Sequence, residues 1–364
     1  MTFHRHFIQR PDFETAVITN EPAAGEQDYQ SMILPPSPSF ERYSRTRLSS
    51  WVHSARHRWG GRSIPEDVQA FVNDFQPDAI FTVAGAWSFV ARLAERVATK
   101  NTLPLIGSFN DWWNYNQIYH PAFESALAKQ FIDYYQRCDL AICTSEGMED
   151  ALGQHRNSVV LYPTGAEFQP TDSFSPPSGD QPFRIGFGGN LGDWYGTMIE
   201  ALAGACSAEL QFQIFGSRPS WSSDFDQRAN GKGFFHGQVD FDTLTREMRG
   251  CDVLLLPMGF DPSIRQIEST SFKTKFLDYL TFEKPIFVWG PEYCSAVRTA
   301  REFDSAEVCT SDDAAVAAKL LLKLKQDPAR QSQLVANSRK MYEDRFHPDR
   351  LHSELVTRIT GLSK

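Results

Sequence analysis

The sequence predicts an α/β fold of two domains, each built on a parallel sheet. From Pro77 onward, apolar segments of strand length alternate with amphipathic segments of helix length. A stretch rich in Pro, Ser and Asp interrupts the alternation at residues 168–182 and is typical of a linker. We therefore expect an N-terminal domain over residues 1–167, a C-terminal domain over 183–346, and a final helix over 347–364 that packs back across the domain junction.

Length and composition limit the classes of protein to consider. With 364 residues the chain can form two full cores, and its net charge of −9 argues against a general nucleic-acid binder. The six cysteines are scattered without a CxxC pair, which favours a reducing compartment and argues against a structural zinc. No apolar run approaches the ~20 residues that span a bilayer, and the first residues do not resemble a secretory signal. We expect a cytoplasmic location.

The N-terminal domain is predicted from a series of short segments. Strands are expected at “PDAIFTVA”, “LPLIGSF”, “DLAICTS” and “SVVLYPTG”, and helices at “SFVARLAERVATK” and “AFESALAKQFIDYYQRC”. Residues 1–65 give a weaker pattern. Within them “FETAVIT” predicts a strand, and the basic, aromatic segment “SPSFERYSRTRLSSWVHSARHRW” predicts a solvated helix or loop.

The C-terminal domain shows the same alternation. Strands are expected at “FRIGFGG”, “LQFQIFGS”, “GFFHGQV”, “DVLLLP” and “PIFVW”, with helices at “YGTMIEALAGAC” and “FDTLTREMRGC”. A further helix is predicted between the last two strands, because Phe272, Phe276 and Leu280 recur every four residues and Ser271 is a suitable N-cap. A strand, a helix and a strand in this order imply a parallel sheet with a right-handed crossover.

Two lysines at the start of this helix indicate an anion site. Ligands of such sheets bind beyond the carboxyl ends of the strands, where residues 258–271 fall. The N-terminal end of a helix already attracts anions through its free N–H groups and its dipole. Lys273 and Lys275 would be unfavourable there unless a multiply charged anion is bound. Lys275 and Asp278 are three residues apart and are expected on one face of the helix, away from the core.

The glycine-rich segment “IGFGGNLGDWYG” follows a strand and precedes a helix, as in dinucleotide-binding folds. Gly186 and Gly188 fit the G-x-G-x-x-G pattern, but Leu191 stands at its third glycine position. The next strand ends without the acidic residue that binds an NAD ribose, although Arg218 would suit NADP. An NADP-dependent oxidoreductase therefore remains an alternative.

Several segments together resemble one enzyme family. “CDVLLLP” is similar to the strand written “aDvllLPs” in that family, and “DYLTFEKPIFVWG” to its helix end and next strand; “FFHGQVDFDTLTREMRGCD” and “SEGM” match two further segments. On these motifs, residues 77–350 resemble a retaining glycosyltransferase of the large family 4. Its GT-B fold consists of two Rossmann-like domains facing a cleft. The resemblance implies that the C-terminal domain binds a nucleoside diphosphate sugar and the N-terminal domain the acceptor.

Matching the family motif position by position implies roles for single residues. Asp278 falls on the glutamate that binds the donor ribose, whereas Thr270 stands where the family has its first glutamate, with Glu268 two positions away. The strand that often ends in His-Asp ends here in Asn110 and Asp111. The implied catalytic residues are Asp111, Lys275 and Glu268. The implied donor-binding residues are Gly188, Gly189, Asn190, Gly216, Ser217, Arg218, His236, Gly237, Gln238, Val239, Thr270, Ser271, Phe272, Lys273 and Asp278. The implied acceptor residues are Trp112, Trp113 and His120.

The resulting hypothesis is a hexosyltransferase that moves a sugar from a nucleoside diphosphate sugar to a carbohydrate or lipid-linked acceptor, with retention implied by the resemblance. The departing diphosphate needs fixed positive charge, which Lys273, Lys275 and the turn at 188–190 would supply. No Asp-x-Asp motif stands where a metal would be held, so we expect neither a metal nor another cofactor. Expected partners are the nucleotide sugar, the acceptor and, peripherally, the inner face of the cell membrane, but no nucleic acid. The alternatives are a catalytically weak or inactive GT-B protein that binds glycans or nucleotides, and a sugar-nucleotide epimerase.

The beginning of the chain lacks a segment that the resemblance implies. An acceptor domain of this family opens with a strand and a glycine-containing loop beneath the donor diphosphate, and “MTFHRHFIQRPDFETAVIT” offers neither. Instead “FETAVIT” is similar to the second strand of such a domain. We therefore expect the first strand–loop unit to be missing, with the gap filled by the N-terminal segment or a partner chain.

Overall fold

The computed structural model describes residues 4–20, 29–84, 87–115, 118–165, 174–177, 181–192, 194–217 and 219–363. Strands and helices alternate along the chain, and all strand pairs among these residues are parallel. The predicted α/β class with parallel sheets is therefore confirmed. The chain forms two compact units, Met1–Pro163 with Leu351–Lys364, and Thr164–Arg350.

Among its described residues, the first unit contains six strands in two sheets. A two-stranded sheet pairs β1 (Ala16–Thr19) with β2 (Gln30–Ile33). A four-stranded sheet has the order β3 (Ile80–Val83), β4 (Leu105–Phe109), β5 (Leu140–Cys143) and β6 (Ser158–Val160). The helices are α1 (Pro38–Tyr43), α2 (Ser49–Trp59), α3 (Glu66–Phe75), α4 (Phe89–Asn101), α5 (Glu124–Arg137) and α6 (Glu146–Leu152). All four strands predicted from Pro77 to Gly165 are present.

The core of the first unit forms where α5 packs on the four-stranded sheet. Phe131, Tyr134 and Tyr135 of α5 are fully buried with Phe109 of β4. Their spacing of three to four residues places them on one helix face, which explains why the sequence pattern was readable. The segment predicted as a solvated helix or loop contains α1 and α2.

The described residues before β1 form a π-helical turn, His4–Ile8, rather than a strand. Phe7 of this turn is buried, and its ring centroid lies 4.7 Å from that of Phe81 in β3. Among the described strands, β1 and β2 pair only with each other. The absence of a first strand–loop unit stays a prediction, because residues 1–3 and 21–28 lie outside the described part of the chain.

The second unit has a five-stranded sheet with the order β11-β10-β9-β7-β8. Its strands are β7 (Phe183–Asn190), β8 (Leu210–Ser217), β9 (Val253–Pro257), β10 (Ile286–Trp289) and β11 (Glu307–Cys309). Its helices are α7 (Trp194–Ala205), α8 (Ser223–Gly231), α9 (Phe241–Arg249), α10 (Arg265–Thr270), α11 (Thr274–Leu280), α12 (Ser295–Phe303), α13 (Ala314–Lys325) and α14 (Pro328–Met341).

The strand predicted at “GFFHGQV” is reduced to a single bridge. Phe235 pairs with Ile214 of β8, and the Ile214 N–H donates to the Phe234 carbonyl at 2.8 Å. Gly233 and Gly237, with φ values of 69° and 68°, leave the extended conformation on either side, so the pairing cannot continue. If the bridge is counted as a strand and the strands of this unit are numbered along the chain from β7, the sheet has the order 3-2-1-4-5-6. This is the strand order of a dinucleotide-binding domain.

The N-cap assignment of Ser271 is wrong, because this residue lies between two helices, α10 and α11, rather than at the start of one. Ser271 is extended (φ −78°, ψ 141°) and ends α10, with its N–H donating to the Ile267 carbonyl at 3.0 Å. The Ser271 carbonyl accepts from the Ser295 hydroxyl at 2.5 Å, which holds the chain in this break. The next helix, α11, begins only at Thr274. Four-residue spacing indicated the apolar face correctly but could not locate the break.

The last helix, α15 (Pro348–Thr360), follows a π-helical turn at Tyr342–Phe346. The predicted interruption at residues 347–349 is thus present, and Pro348 begins the new helix because its missing N–H has no partner to lose there. From Leu351 onward the chain belongs to the first unit, as expected for a final helix that packs back.

Candidate functional site

The sheet order of the second unit points to one end of β7. Strand β7 is followed in sequence by β8 on one side, whereas β9 pairs with it on the other side. The strand order therefore reverses between β7 and β9. In open parallel sheets, ligands bind beyond the carboxyl ends of the strands at such a reversal. Asn190 ends β7 and Pro257 ends β9, so the site is expected beside these residues.

Residues 188–190 are predicted to form a turn, but they are the last residues of strand β7. Gly189 and Asn190 are still paired with β8, and the chain turns only at Leu191 and Gly192, where the Gly192 N–H donates to Asn190 Oδ1 at 3.0 Å. The Gly188 N–H donates to the Tyr279 hydroxyl at 3.1 Å. A phosphate therefore cannot use the Gly188 N–H unless Tyr279 moves.

Gly189 and Lys275 fit each other closely. Gly189 has a φ of 143°, and a Cβ at this position would lie 2.1 Å from Lys275 Cε. Gly216 of β8 is equally restricted, because its Cβ would lie 1.9 Å from the Gly189 carbonyl oxygen. The two glycines therefore let β7, β8 and the Lys275 side chain converge at one point.

Lys275 is a cation held between aromatic rings. Its Nζ lies 4.5 Å from the ring centroid of Tyr195 and 5.7 Å from that of Phe187. It forms no ion pair with any residue that the structure describes. Burial, reinforced by the charge of Lys273, lowers the pKa of Lys275 to about 8, although Asp278 opposes the shift. An unpaired, partly desolvated ammonium of this kind favours an anionic ligand.

Lys273 has a different environment from Lys275. Its Nζ lies 3.4 Å from Oε1 of Glu268, and the two side chains are 10% and 0% exposed. Burial raises the pKa of Glu268, although Lys273 partly offsets the shift. The charge of Lys273 is thus largely compensated within the protein, in contrast to the prediction that both lysines face the leaving group.

Two buried polar groups beside Lys273 have no well-formed hydrogen bond among the described residues, although one of them is ion-paired with Lys273. They are the carboxylate oxygens of Glu268 and the indole Nε1 of Trp194. Lys273 Nζ lies 5.5 Å from the Trp194 ring centroid, so these groups share one neighbourhood. Buried polar groups are normally paired, and unpaired ones close together indicate room for a polar ligand.

Other predicted donor residues of α10 and α11 are engaged within the fold. The Thr270 hydroxyl donates to the Gln266 carbonyl at 2.8 Å, and Phe272 packs on Phe346 with ring centroids 5.6 Å apart. Asp278 is partly exposed on α11, one turn after Lys275. It remains the predicted ribose ligand, and its position near Lys275 is compatible with that role.

The predicted donor residues around β8 lie at the carboxyl end of that strand. Gly216 donates its N–H to the Gly237 carbonyl at 2.8 Å, and the Ser217 carbonyl accepts from the Leu191 N–H at 3.1 Å. His236 stacks on Phe215 at 4.6 Å and contacts Gln213 Oε1 through Nε2 at 2.8 Å. Gln238 is exposed and Val239 half-buried, whereas Arg218 lies outside the described residues.

The predicted acceptor residues of the first unit have structural contacts of their own. Trp113 is buried and stacks on Tyr119, with ring centroids 5.6 Å apart, and Trp112 packs edge-on against Phe131 at 5.6 Å. His120 Nδ1 accepts from the Ala122 N–H at 3.2 Å and so caps the turn that follows. These residues, and Asp111 after β4, remain predictions as acceptor ligands.

Tyr195 and Tyr279 are not among the site residues that the resemblance implies, although Tyr195 follows a strand end, where an aromatic side chain could stack on a sugar. Tyr195 supplies the nearer ring for Lys275, and Tyr279 fixes the Gly188 N–H. The four-residue spacing of Lys275 and Tyr279 on α11 was the available signal, because it places both side chains towards β7.

No helix in the described ranges is long and apolar enough to cross a bilayer. Among the same residues, no group of three or more His, Cys, Asp or Glu side chains could hold a metal ion.

This chain is similar to known proteins in its three-dimensional structure but not detectably in its sequence. Neither a protein-family model nor a curated protein sequence matches this chain. Sucrose-phosphate synthase from Thermosynechococcus elongatus has a TM-score of 0.69 at 14% identity, with 96% of this chain and 89% of that chain covered. A glycosyltransferase from Rickettsia africae gives 0.60 at 13% identity, with 94% and 88% covered. HepE from Anabaena, solved in complex with UDP-glucose, gives 0.56 at 14% identity, with 91% and 86% covered. These neighbours have the GT-B fold, and this chain has the same fold.

Proposed function

We propose that this protein is a glycosyltransferase that uses a nucleoside diphosphate sugar as donor and a carbohydrate or lipid-linked acceptor. The observation that carries the proposal is Lys275, a cation beside the carboxyl ends of β7 and β9 that has no ion-pair partner among the described residues. The GT-B fold and the UDP-glucose complex of the similar HepE support the choice of donor class. The wider role we propose is polysaccharide biosynthesis.

In the proposed reaction, the bond between the anomeric carbon and the diphosphate oxygen breaks, and a bond to an acceptor oxygen forms. The acceptor hydroxyl passes its proton to the departing diphosphate oxygen, on which negative charge has developed as the bond to the anomeric carbon breaks. Lys275 stabilises that charge. Because the ammonium lies beside aromatic rings and is partly shielded from water, the stabilisation is stronger than it would be in water. Protein cations replace a metal in this proposal, and the anomeric configuration is retained.

Glu268 and Asp278 have separate roles in the proposal. The buried carboxylate of Glu268 positions Lys273 through the ion pair at Oε1 and accepts hydrogen bonds from the donor sugar, since neither oxygen has a well-formed hydrogen bond among the described residues. Asp278 accepts a hydrogen bond from the ribose. Asp111 contacts the reacting sugar or the acceptor. These assignments follow the family resemblance and the positions of the side chains.

The test is Lys275→Met, which removes the charge and keeps most of the side-chain volume. We expect weaker binding of UDP and other nucleoside diphosphates by calorimetry, and a transfer rate about 10- to 1000-fold lower, as for the loss of one transition-state stabiliser. The matched control is Lys284→Met, because Lys284 is also partly buried in this unit but precedes β10 at the opposite end of the sheet. Equal kinetics of wild type and Lys275→Met, with both proteins folded, would exclude this role for Lys275.

A second candidate is a GT-B protein that binds nucleotide sugars without transferring them. Thr270 at the place of the family's first glutamate, and the ion pair that engages Glu268, favour it. Saturable binding of a nucleotide sugar without transfer or hydrolysis across a panel of acceptors would select this candidate.

We also propose a cytoplasmic location with peripheral membrane association. All six cysteines are free, and five of them are buried, which suits a reducing compartment.

A further inference from the structure

Helix α2 of the first unit has an unusual orientation, with polar side chains inward and aromatic ones outward. Ser54 is fully buried, and its hydroxyl accepts from the His120 N–H at 2.8 Å. His57 Nδ1 accepts from the Phe89 N–H at 3.1 Å. Trp51 and Trp59, in contrast, are 45% and 49% exposed. The fold therefore holds α2 by its polar side and leaves its apolar side uncovered by the described residues.

Apolar side chains form a stripe along α2, of which Leu48, Trp51 and Trp59 are exposed and Val52 and Ala55 are half-buried. Leu48, Trp51, Val52, Ala55 and Trp59 have the spacing i, i+3, i+4, i+7 and i+11, which places them within an arc of roughly 100°. Both tryptophans contact the ring of Phe123 edge-on, at 5.4 and 5.5 Å, so they lie on the same side of the unit.

The segment that carries this stripe is rich in arginine. Residues 38–65 contain six arginines and a single glutamate, whereas the whole chain has a net charge of −9. Arg42, Arg45, Arg47 and Arg62 are exposed. Arg56 is not part of the exposed set, because its guanidinium stacks on Phe40 at 4.1 Å and on Phe89 at 4.4 Å, and so ties α1 and α4 to α2.

We propose that this surface docks on an anionic lipid bilayer. The surface, called here the α2 patch, consists of Tyr43, Leu48, Trp51 and Trp59 with Arg42, Arg45, Arg47 and Arg62. Tryptophan and tyrosine prefer the headgroup region, an apolar stripe of this kind inserts beside it, and arginines attract anionic headgroups. The proposal does not depend on transferase activity.

Two observations favour a lipid surface over a soluble polyanion such as a charged glycan or a nucleic acid. Leu48 is 52% exposed, and an aliphatic side chain gains from insertion among lipids but cannot stack on sugars or bases. The rest of the molecule is acidic and would be repelled by a polyanion that wraps around it, whereas a planar membrane needs to meet only the α2 patch.

The test is co-sedimentation of the full chain with vesicles of phosphatidylcholine alone and with vesicles containing about a third phosphatidylglycerol. We expect binding to the anionic vesicles only, and weaker binding as salt is raised. Arg42→Gln, Arg45→Gln and Arg47→Gln combined should reduce the partition coefficient roughly 100-fold. These side chains are exposed, so the variant should fold.

Apolar contacts are tested separately by Trp51→Ala with Trp59→Ala, expected to cost on the order of 100-fold in partitioning. Matched controls lie in the second unit: Phe241→Ala removes a 54% exposed ring, and Arg228→Gln, Arg246→Gln and Arg301→Gln combined remove three exposed arginines. These controls should bind like the wild type.

Three results would overturn the proposal. One is equal binding to neutral and anionic vesicles. Another is an equal loss of binding in patch and control variants, or no loss in either. The third is retention on heparin by the α2 patch without binding to vesicles, which would assign the surface to a soluble polyanion.

Discussion

Gly189→Ala tests whether the missing side chain at position 189 is needed to keep Lys275 in its place beside β7. An alanine at a φ of 143° is strained by about 1–3 kcal/mol, because this region is nearly restricted to glycine. Its Cβ would also lie 2.1 Å from Lys275 Cε, so the lysine must leave the rings of Tyr195 and Phe187. Losing these cation–π contacts and relieving the desolvation of the ammonium have opposite effects on stability. We therefore expect the free energy of unfolding to fall by about 1–3 kcal/mol, the cost of the strained backbone.

The same substitution should weaken nucleoside diphosphate binding by about 10- to 100-fold, since a charge-assisted hydrogen bond contributes roughly 1.5–3 kcal/mol. Urea unfolding measures the first effect and titration calorimetry with UDP the second. Gly204→Ala is the matched control, because Gly204 lies in α7 with open space around it and should become slightly more stable. The reasoning fails if Gly189→Ala keeps both its stability and its affinity for UDP.

Two further predictions concern the same site. Tyr279→Phe should lower the free energy of unfolding by about 1–3 kcal/mol, because the buried Gly188 N–H loses its acceptor; equal urea midpoints for variant and wild type would contradict this. The pKa of Lys275 is lowered from 10.5 to about 8, so between these values the unfolded chain binds the extra proton and stability should rise with pH, by at most about 3 kcal/mol. UDP affinity should fall as pH rises through 8. In Lys275→Met both effects should be absent, and their persistence there would show that another group titrates.

The sequence was sufficient for the fold class but not for the ends of its elements. Apolar runs such as “DVLLLP” and “PIFVW” indicated β9 and β10, because fully buried parallel strands read as continuous apolar segments. The break at Ser271 was not visible, since it depends on a hydrogen bond from Ser295, 24 residues away. “GFFHGQV” predicted a strand on composition, yet backbone conformation at its two glycines limits it to one bridge.

The sequence indicated at which edge of the sheet the candidate site lies, but it did not indicate most of the contacts that its side chains make. Lysines after a strand and before a helix indicated the correct edge of the sheet. What separates Lys275 from Lys273 is tertiary: one lies between aromatic rings, and the other is paired with a buried glutamate. The spacing of residues along one helix cannot reveal such partners, because they come from β7, α7 and α10.

The isolated charge of Lys275 has a consequence for protein engineering. A buried cation whose pKa is lowered by desolvation destabilises the folded state, and replacing it by an apolar side chain of similar size often stabilises a protein. Screens that select variants for heat resistance alone should therefore enrich replacements at position 275. Such variants would be more robust and would have lost the residue that we propose acts on the leaving group, so thermal selection of this protein needs a ligand-binding step beside it.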